Sequence, residues 1–305
     1  MPSIDPKVAV LNLMFGVTPE RRHDIERLWR KYNPQVIIAP DTCRIALNVT
    51  KDRIAFSMKT IDVFWLIGFS GWHAIECYSP HVVCSYCQNQ PITALIRDDE
   101  KLADVERDYK ERRKSVESLI SATNSHDISW PPDLPRPSAD RDAMEDLQYK
   151  TAYDLTCLAL GFALFHEFHH VMLDLDGQRP DDRKEEEMKC DVWAREFMTA
   201  KLATYAIEKG HSYQEVLRER SMGFALMVLI LHDITPVWGH GGNQEYFSLA
   251  DRLSAILSNT SLPDDDHFWI FTSSLLISVY RQKHIPVCFD PMSPRALTDT
   301  LLSNL

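Results

Sequence analysis

The segment His166-Glu167-Phe168-His169-His170 constrains this chain more than any other. It follows Leu158, Leu160, Phe162, Leu164 and Phe165, an apolar stretch that reads as part of a buried helix. Residues four apart share a helix face one turn apart, so His166 and His170 can offer two imidazole nitrogens to a single ion. Glu167 sits one position along, close enough to reach a metal-bound water without ligating the metal. His169 points about 100° away from His170 and reads as a supporting or packing residue.

A catalytic zinc normally takes three protein ligands and leaves its fourth position open. Gly177 and Pro180 end the first helix, and Asp182 can cap the next, with Glu185 completing a capping box. Glu187 follows His170 by 17 positions, enough chain to turn and bring the second helix back antiparallel. It opens an ExxxD pattern, Glu187-Met-Lys-Cys-Asp191. Glu187 is the expected third ligand of one Zn²⁺. Asp191, one turn on, is placed to accept the other ring N–H of His166 and set its tautomer. Glu185 and Glu186 read as a first turn made acidic by the helix dipole.

The rest of the chain suggests an α+β fold, predominantly α: a helical core around the metal motif, which on the motif's likeness to zinc peptidases would be a zincin-like metallopeptidase core, with a small β-containing N-terminal part. Residues 1–128 read as a mixed α/β region, with β-branched strands over 36–38, 45–49 and 53–58. An apolar helix is expected over 61–74 and an amphipathic one over 98–122. Pro131, Pro132, Pro135 and Pro137 break regular structure, so 129–140 is a linker or surface loop. From 141 to 305 the pattern is helical, with helices expected over 143–173, 183–209, 213–232, 244–258 and 267–281.

Composition narrows the function. A net charge of −11 argues against a nucleic-acid partner, which needs a basic face. The run Lys110-Glu-Arg-Arg-Lys114 reads as a solvated helix face. The N-terminus lacks the pattern of a signal peptide. The longest apolar runs, 155–165 and 223–231, fall short of the roughly 20 residues a membrane span needs. The seven cysteines suit a reduced, cytoplasmic protein, and the short apolar runs lead us to expect no membrane partner. Cys84-Ser-Tyr-Cys87 is a lone pair that could hold a second metal only if Cys77 and His81 completed the set.

These residues resemble known families. HExxH followed by ExxxD is similar to the gluzincin arrangement. The segment from Glu187 to Ala194 looks like the E-x-x-A-D segment of HtpX-type peptidases, with Cys190 in place of Ala. Those carry a His-Pro segment with an Arg six residues after the His; here Tyr246 and Phe247 stand at the His-Pro positions and Arg252 at the Arg. The soluble character, His-Glu-Phe-His-His, Cys-Asp-Val-Trp-Ala and Asp62-Val-Phe-Trp-Leu resemble the Lit-type phage-exclusion peptidases. That resemblance implies a zinc endopeptidase acting on one intracellular protein, elongation factor Tu.

The expected chemistry has Glu167 as general base and acid for hydrolysis of a peptide bond. Tyr246 and Arg252 are the first candidates to stabilise the oxyanion, followed by His232 and His240. Gln244 and the glycines Gly239, Gly241 and Gly242 would form a lip beside the site. Two other readings compete. An ImmA-type regulatory protease cleaving a repressor shares the motif but usually sits beside a DNA-reading module, of which the sequence has no helix-turn-helix sign. A non-catalytic, zinc-stabilised binding protein predicts the same ligands with a blocked fourth position.

Overall fold

The computed structural model describes residues 5–42, 45–243, 247–257 and 260–305. The chain opens with helices α1 (Pro6–Val17) and α2 (Arg22–Tyr32). Three strands follow, β1 (Gln35–Ala39), β2 (Leu47–Thr50) and β3 (Arg53–Ser57). Next come α3 (Met58–Gln88), α4 (Ile92–Asp98) and α5 (Leu102–Ser121). The C-terminal part contains α6 (Leu147–Leu175), α7 (Arg183–Thr199), α8 (Leu202–Lys209) and α9 (Tyr213–Ile234). It ends with α10 (Leu249–Leu257), α11 (His267–Gln282) and α12 (Pro294–Ser303). The fold is α+β and predominantly α, as the sequence predicts.

The strands form one sheet in the order β1-β3-β2, with β1 parallel and β2 antiparallel to β3. Strand β2 is therefore an edge strand, and it packs on α6. Helix α6 is the hub: α1, α3, α7 and α9 all pack against it. Close crossings require small residues there. A Cβ on Gly223 of α9 would lie 2.5 Å from Leu158 Cβ, and one on Gly68 of α3 would collide with Thr156. Helix α3 also packs on α5, α9 and α11, so its apolar residues join the same core as α6. The first turn of α3 buries Lys59 completely. Its Nζ donates to the carbonyls of Thr42, Ile120 and Ala122 at 2.8, 2.6 and 2.7 Å, tying the strand region to the end of α5.

Several expectations need correction. The helix predicted over 183–209 breaks between Thr199 and Leu202 into α7 and α8. Helices α1, α2, α4 and α12 are additional to those predicted. The helix expected over 98–122 forms as α5, which starts at Leu102, but Arg113 in the basic run is buried and paired with Asp233, so that face is only partly solvated. Helix α6, at 29 residues, is long and apolar enough by length and composition to cross a membrane, contrary to the reading of the apolar runs. Its most apolar window is 72% buried inside the protein, as expected of a core helix.

Candidate metal centre

The turn between α6 and α7 brings the two motif helices together. Gly177 adopts φ +64°, and Gln178 N bonds back to Leu173 O at 2.9 Å, closing α6 with a left-handed glycine. Asp182 caps α7, but through Lys184 N at 2.9 Å. Glu185 pairs with Lys189 at 2.7 Å and does not complete the capping box.

His166, His170 and Glu187 are all buried and form the one group among the described residues that could hold a metal ion. The two Nε2 atoms face each other at 3.1 Å. Glu187 Oε2 lies 3.4 Å from His166 Nε2, and Oε1 lies 3.6 Å from His170 Nε2. The opposite ring nitrogens are held by carboxylates: His166 Nδ1 meets Asp191 Oδ1 at 2.7 Å, and His170 Nδ1 meets Glu186 Oε1 at 2.6 Å. The Asp191 contact is the one the sequence predicts. The Glu186 contact overturns the dipole reading of that residue, whose side chain is only 2% exposed. A clue was present in the sequence, since a second ligand histidine needs a second acceptor and Asp191 serves only one.

Arginines complete the cluster. Arg252 donates to Asp191 Oδ2 and Oδ1 at 2.7 and 3.1 Å and lies 3.2 Å from Glu187 Oε2. Arg183 lies 2.8 Å from Glu187 Oε1 and 3.1 Å from Glu186 Oε2. Arg179 bridges Glu186 and Asp174. Neither Arg179 nor Arg183 belongs to the sequence motifs, although Arg183 stands one turn before Glu187.

This environment polarises the site. Burial opposes charge on His166, but the Asp191 carboxylate overrides it and pushes the imidazole up to about 10. Burial would raise Glu187, yet His166 and Arg252 hold it down to about 2. His170, buried and facing a charged His166, is lowered. For Glu167 burial wins: with the Glu187 charge added, it outweighs the lowering by His166, Arg252 and Arg183 and lifts the carboxyl to about 7. His169 stacks flat on Trp193 with centroids 4.7 Å apart and stays out of the cluster.

A cleft of about 350 Å³ opens over these groups, lined by His166, Glu167, His170 and Glu187 and, from edge strand β2, by Leu47, Asn48 and Val49. Arg252 lines it too. Tyr246 and Gln244 lie outside the described residues. His232 and His240 contact each other at 4.8 Å and do not line the cleft. His240 instead braces a turn, with Nε2 2.9 Å from Thr235 O. Cys84 and Cys87 lie near the end of α3, half-buried and exposed, while His81 pairs with Asp99 at 3.1 Å; among the described residues these do not assemble a second metal group.

A buried His–His–Glu cluster, a neighbouring carboxyl near neutrality and an open cleft beside a sheet edge are the parts of a peptidase. The chain belongs to the peptidase U49 family, whose sequence profile matches residues 54–272. The matched region runs from within strand β3 through the metal cluster and past Arg252. No curated protein and no solved structure matches the chain.

Proposed function

We propose that the protein is a zinc-dependent endopeptidase of gluzincin type. We further propose that it acts in the cytoplasm on one specific protein, with elongation factor Tu, suggested by the Lit-type resemblance, as the candidate substrate. The observation that carries the zinc reading is the triangle of donors. Tetrahedral bonds of about 2.0–2.1 Å separate neighbouring ligands by about 3.3 Å. The separations of 3.1, 3.4 and 3.6 Å bracket that edge, with both Nδ1 atoms already engaged elsewhere.

His166, His170 and Glu187 would hold the ion, which when bound supplies a Lewis acid and lowers the pKa of water towards about 7. Glu167 takes the proton from the attacking water and passes it to the leaving amine. In the metal-free protein burial lifts its carboxyl to about 7; a bound cation would draw it lower, towards the ionised form that accepts a proton. Asp191 and Glu186 keep the two imidazoles turned with Nε2 inward. Arg252 works through Asp191 and Glu187, which occupy its Nε and Nη2, and is a positioning residue in this reading. Tyr246 is the proposed donor to the oxyanion. Strand β2, at the sheet edge beside the cleft, offers backbone groups to an extended substrate.

The test is Glu167→Gln, assayed on purified elongation factor Tu and, by sequencing of new N-termini, on a bacterial lysate. The variant should keep its zinc and lose about 10²–10⁴-fold in cleavage rate. Cleavage at the wild-type rate would refute the role given to Glu167.

A further inference from the structure

Helix α9 stops at Ile234, and the chain then turns sharply through Val237–Gly239 before reaching α10. Val237 and Trp238 on that turn are 80% and 81% exposed. Two adjacent large apolar side chains held in water mark a contact surface. The turn itself is braced. Thr235 Oγ1 bonds to Leu231 O at 2.6 Å, and His240 holds Thr235 O and is contacted by Lys283 Nζ at 3.4 Å. Leu249 N bonds to His240 O at 2.9 Å, so the turn is also tied to the start of α10.

Behind Trp238 lies a second hollow of about 330 Å³, lined by Met188, Pro236, Phe247 and Leu249. Glu187 and Arg252 line both this hollow and the metal cleft. A side chain seated in it would therefore lie directly beside the third metal ligand. The mainly apolar wall would favour an apolar side chain, with Trp238 at its rim as a lip.

We propose that this hollow is the specificity subsite of the enzyme. It takes a large apolar side chain from a substrate residue next to the bond being cut, and Trp238 is a specificity-determining residue. This inference rests on the peptidase reading of the metal centre. It gives His240 a positioning role, as the brace of the lip.

Two hydroxamates test it by calorimetry on the zinc-loaded full chain. Acetohydroxamate carries the metal-binding group alone, and 4-methylpentanohydroxamate adds an isobutyl tail. The tailed compound should bind wild type at least about ten-fold more tightly. Trp238→Ala should remove most of that gain while leaving acetohydroxamate affinity unchanged, and Phe247→Ala should reduce it. Equal affinity of the two compounds for wild type, or a gain untouched by both substitutions, would overturn the subsite while leaving the metal centre standing. Failure of acetohydroxamate to bind the zinc-loaded protein would overturn the metal reading and the subsite with it.

Discussion

Replacing Glu186 by Gln should weaken metal binding about 10- to 100-fold, the usual cost of losing a carboxylate behind a ligating histidine. That range corresponds to about 1.4–2.7 kcal/mol. The amide oxygen of Gln can still accept from His170 Nδ1, so the ring keeps its orientation and the loss is mainly electrostatic. The metal-free fold should hardly change. Glu186 Oε2 faces Arg179 and Arg183, whose side chains are 45% and 36% exposed and can turn to water when the charge goes. Glu186 itself is buried, but both arginines reach water, so these pairs cost less to break than one whose two partners are enclosed. Asp191→Asn makes the contrast. Asp191 is 1% exposed and takes two bonds from Arg252 as well as one from His166. Breaking such a buried pair costs about 3–5 kcal/mol, so this variant should lose both metal affinity and stability. Competition with a coloured chelator gives the affinities, and urea unfolding of the metal-free proteins gives the stabilities. Wild-type affinity in Glu186→Gln would refute the claim that this carboxylate tunes the site. Equal destabilisation by the two substitutions would refute the argument from the exposure of their partners that separates them.

Asp62 predicts a pH-dependent stability. Burial raises its carboxyl from 3.8 to about 6, so ionising it costs the folded state more than the unfolded one. The contribution of Asp62 is fully present below 3.8 and lost as pH rises through about 6. The full difference is about 3 kcal/mol, which screening of a partly exposed group cuts to about 1 kcal/mol. Asp62→Asn should therefore stabilise by about 1 kcal/mol at pH 7.5 and by almost nothing at pH 4, and a uniform effect in urea titrations at both pH values would refute the argument. Lys59→Met should cost about 3 kcal/mol or more, because it removes three charge-assisted bonds made by a fully buried ammonium; a loss under about 1 kcal/mol in urea unfolding would mean the carbonyls find other partners.

The site was more legible in the sequence than the fold around it, and helical spacing explains why. His166 and His170 must share a face, and Glu187 and Asp191 repeat that spacing on the next helix, so four of the central residues follow from position alone. Glu186 was hidden because an acidic first turn has a sufficient local explanation in the helix dipole. Its burial becomes visible only once α6 and α7 are side by side. Arg252 shows the limit of analogy. Its place in the chain suggested contact with substrate, while its guanidinium faces Asp191 and Glu187. Helix α2 carried a readable signal, since its buried residues Ile25, Trp29 and Tyr32 recur at helical spacing. The break between α7 and α8 carried none, as neither glycine nor proline marks Ala200 or Lys201. Arg113 sits in a charged run whose composition says surface, but tertiary packing places it against Asp233.

The most direct test of the central claim is zinc content, measured by plasma mass spectrometry on the wild-type protein and on His170→Ala. A single site of the kind described predicts about one zinc per wild-type chain and almost none in the variant. Zinc retained by the variant, or absent from both proteins, would contradict it.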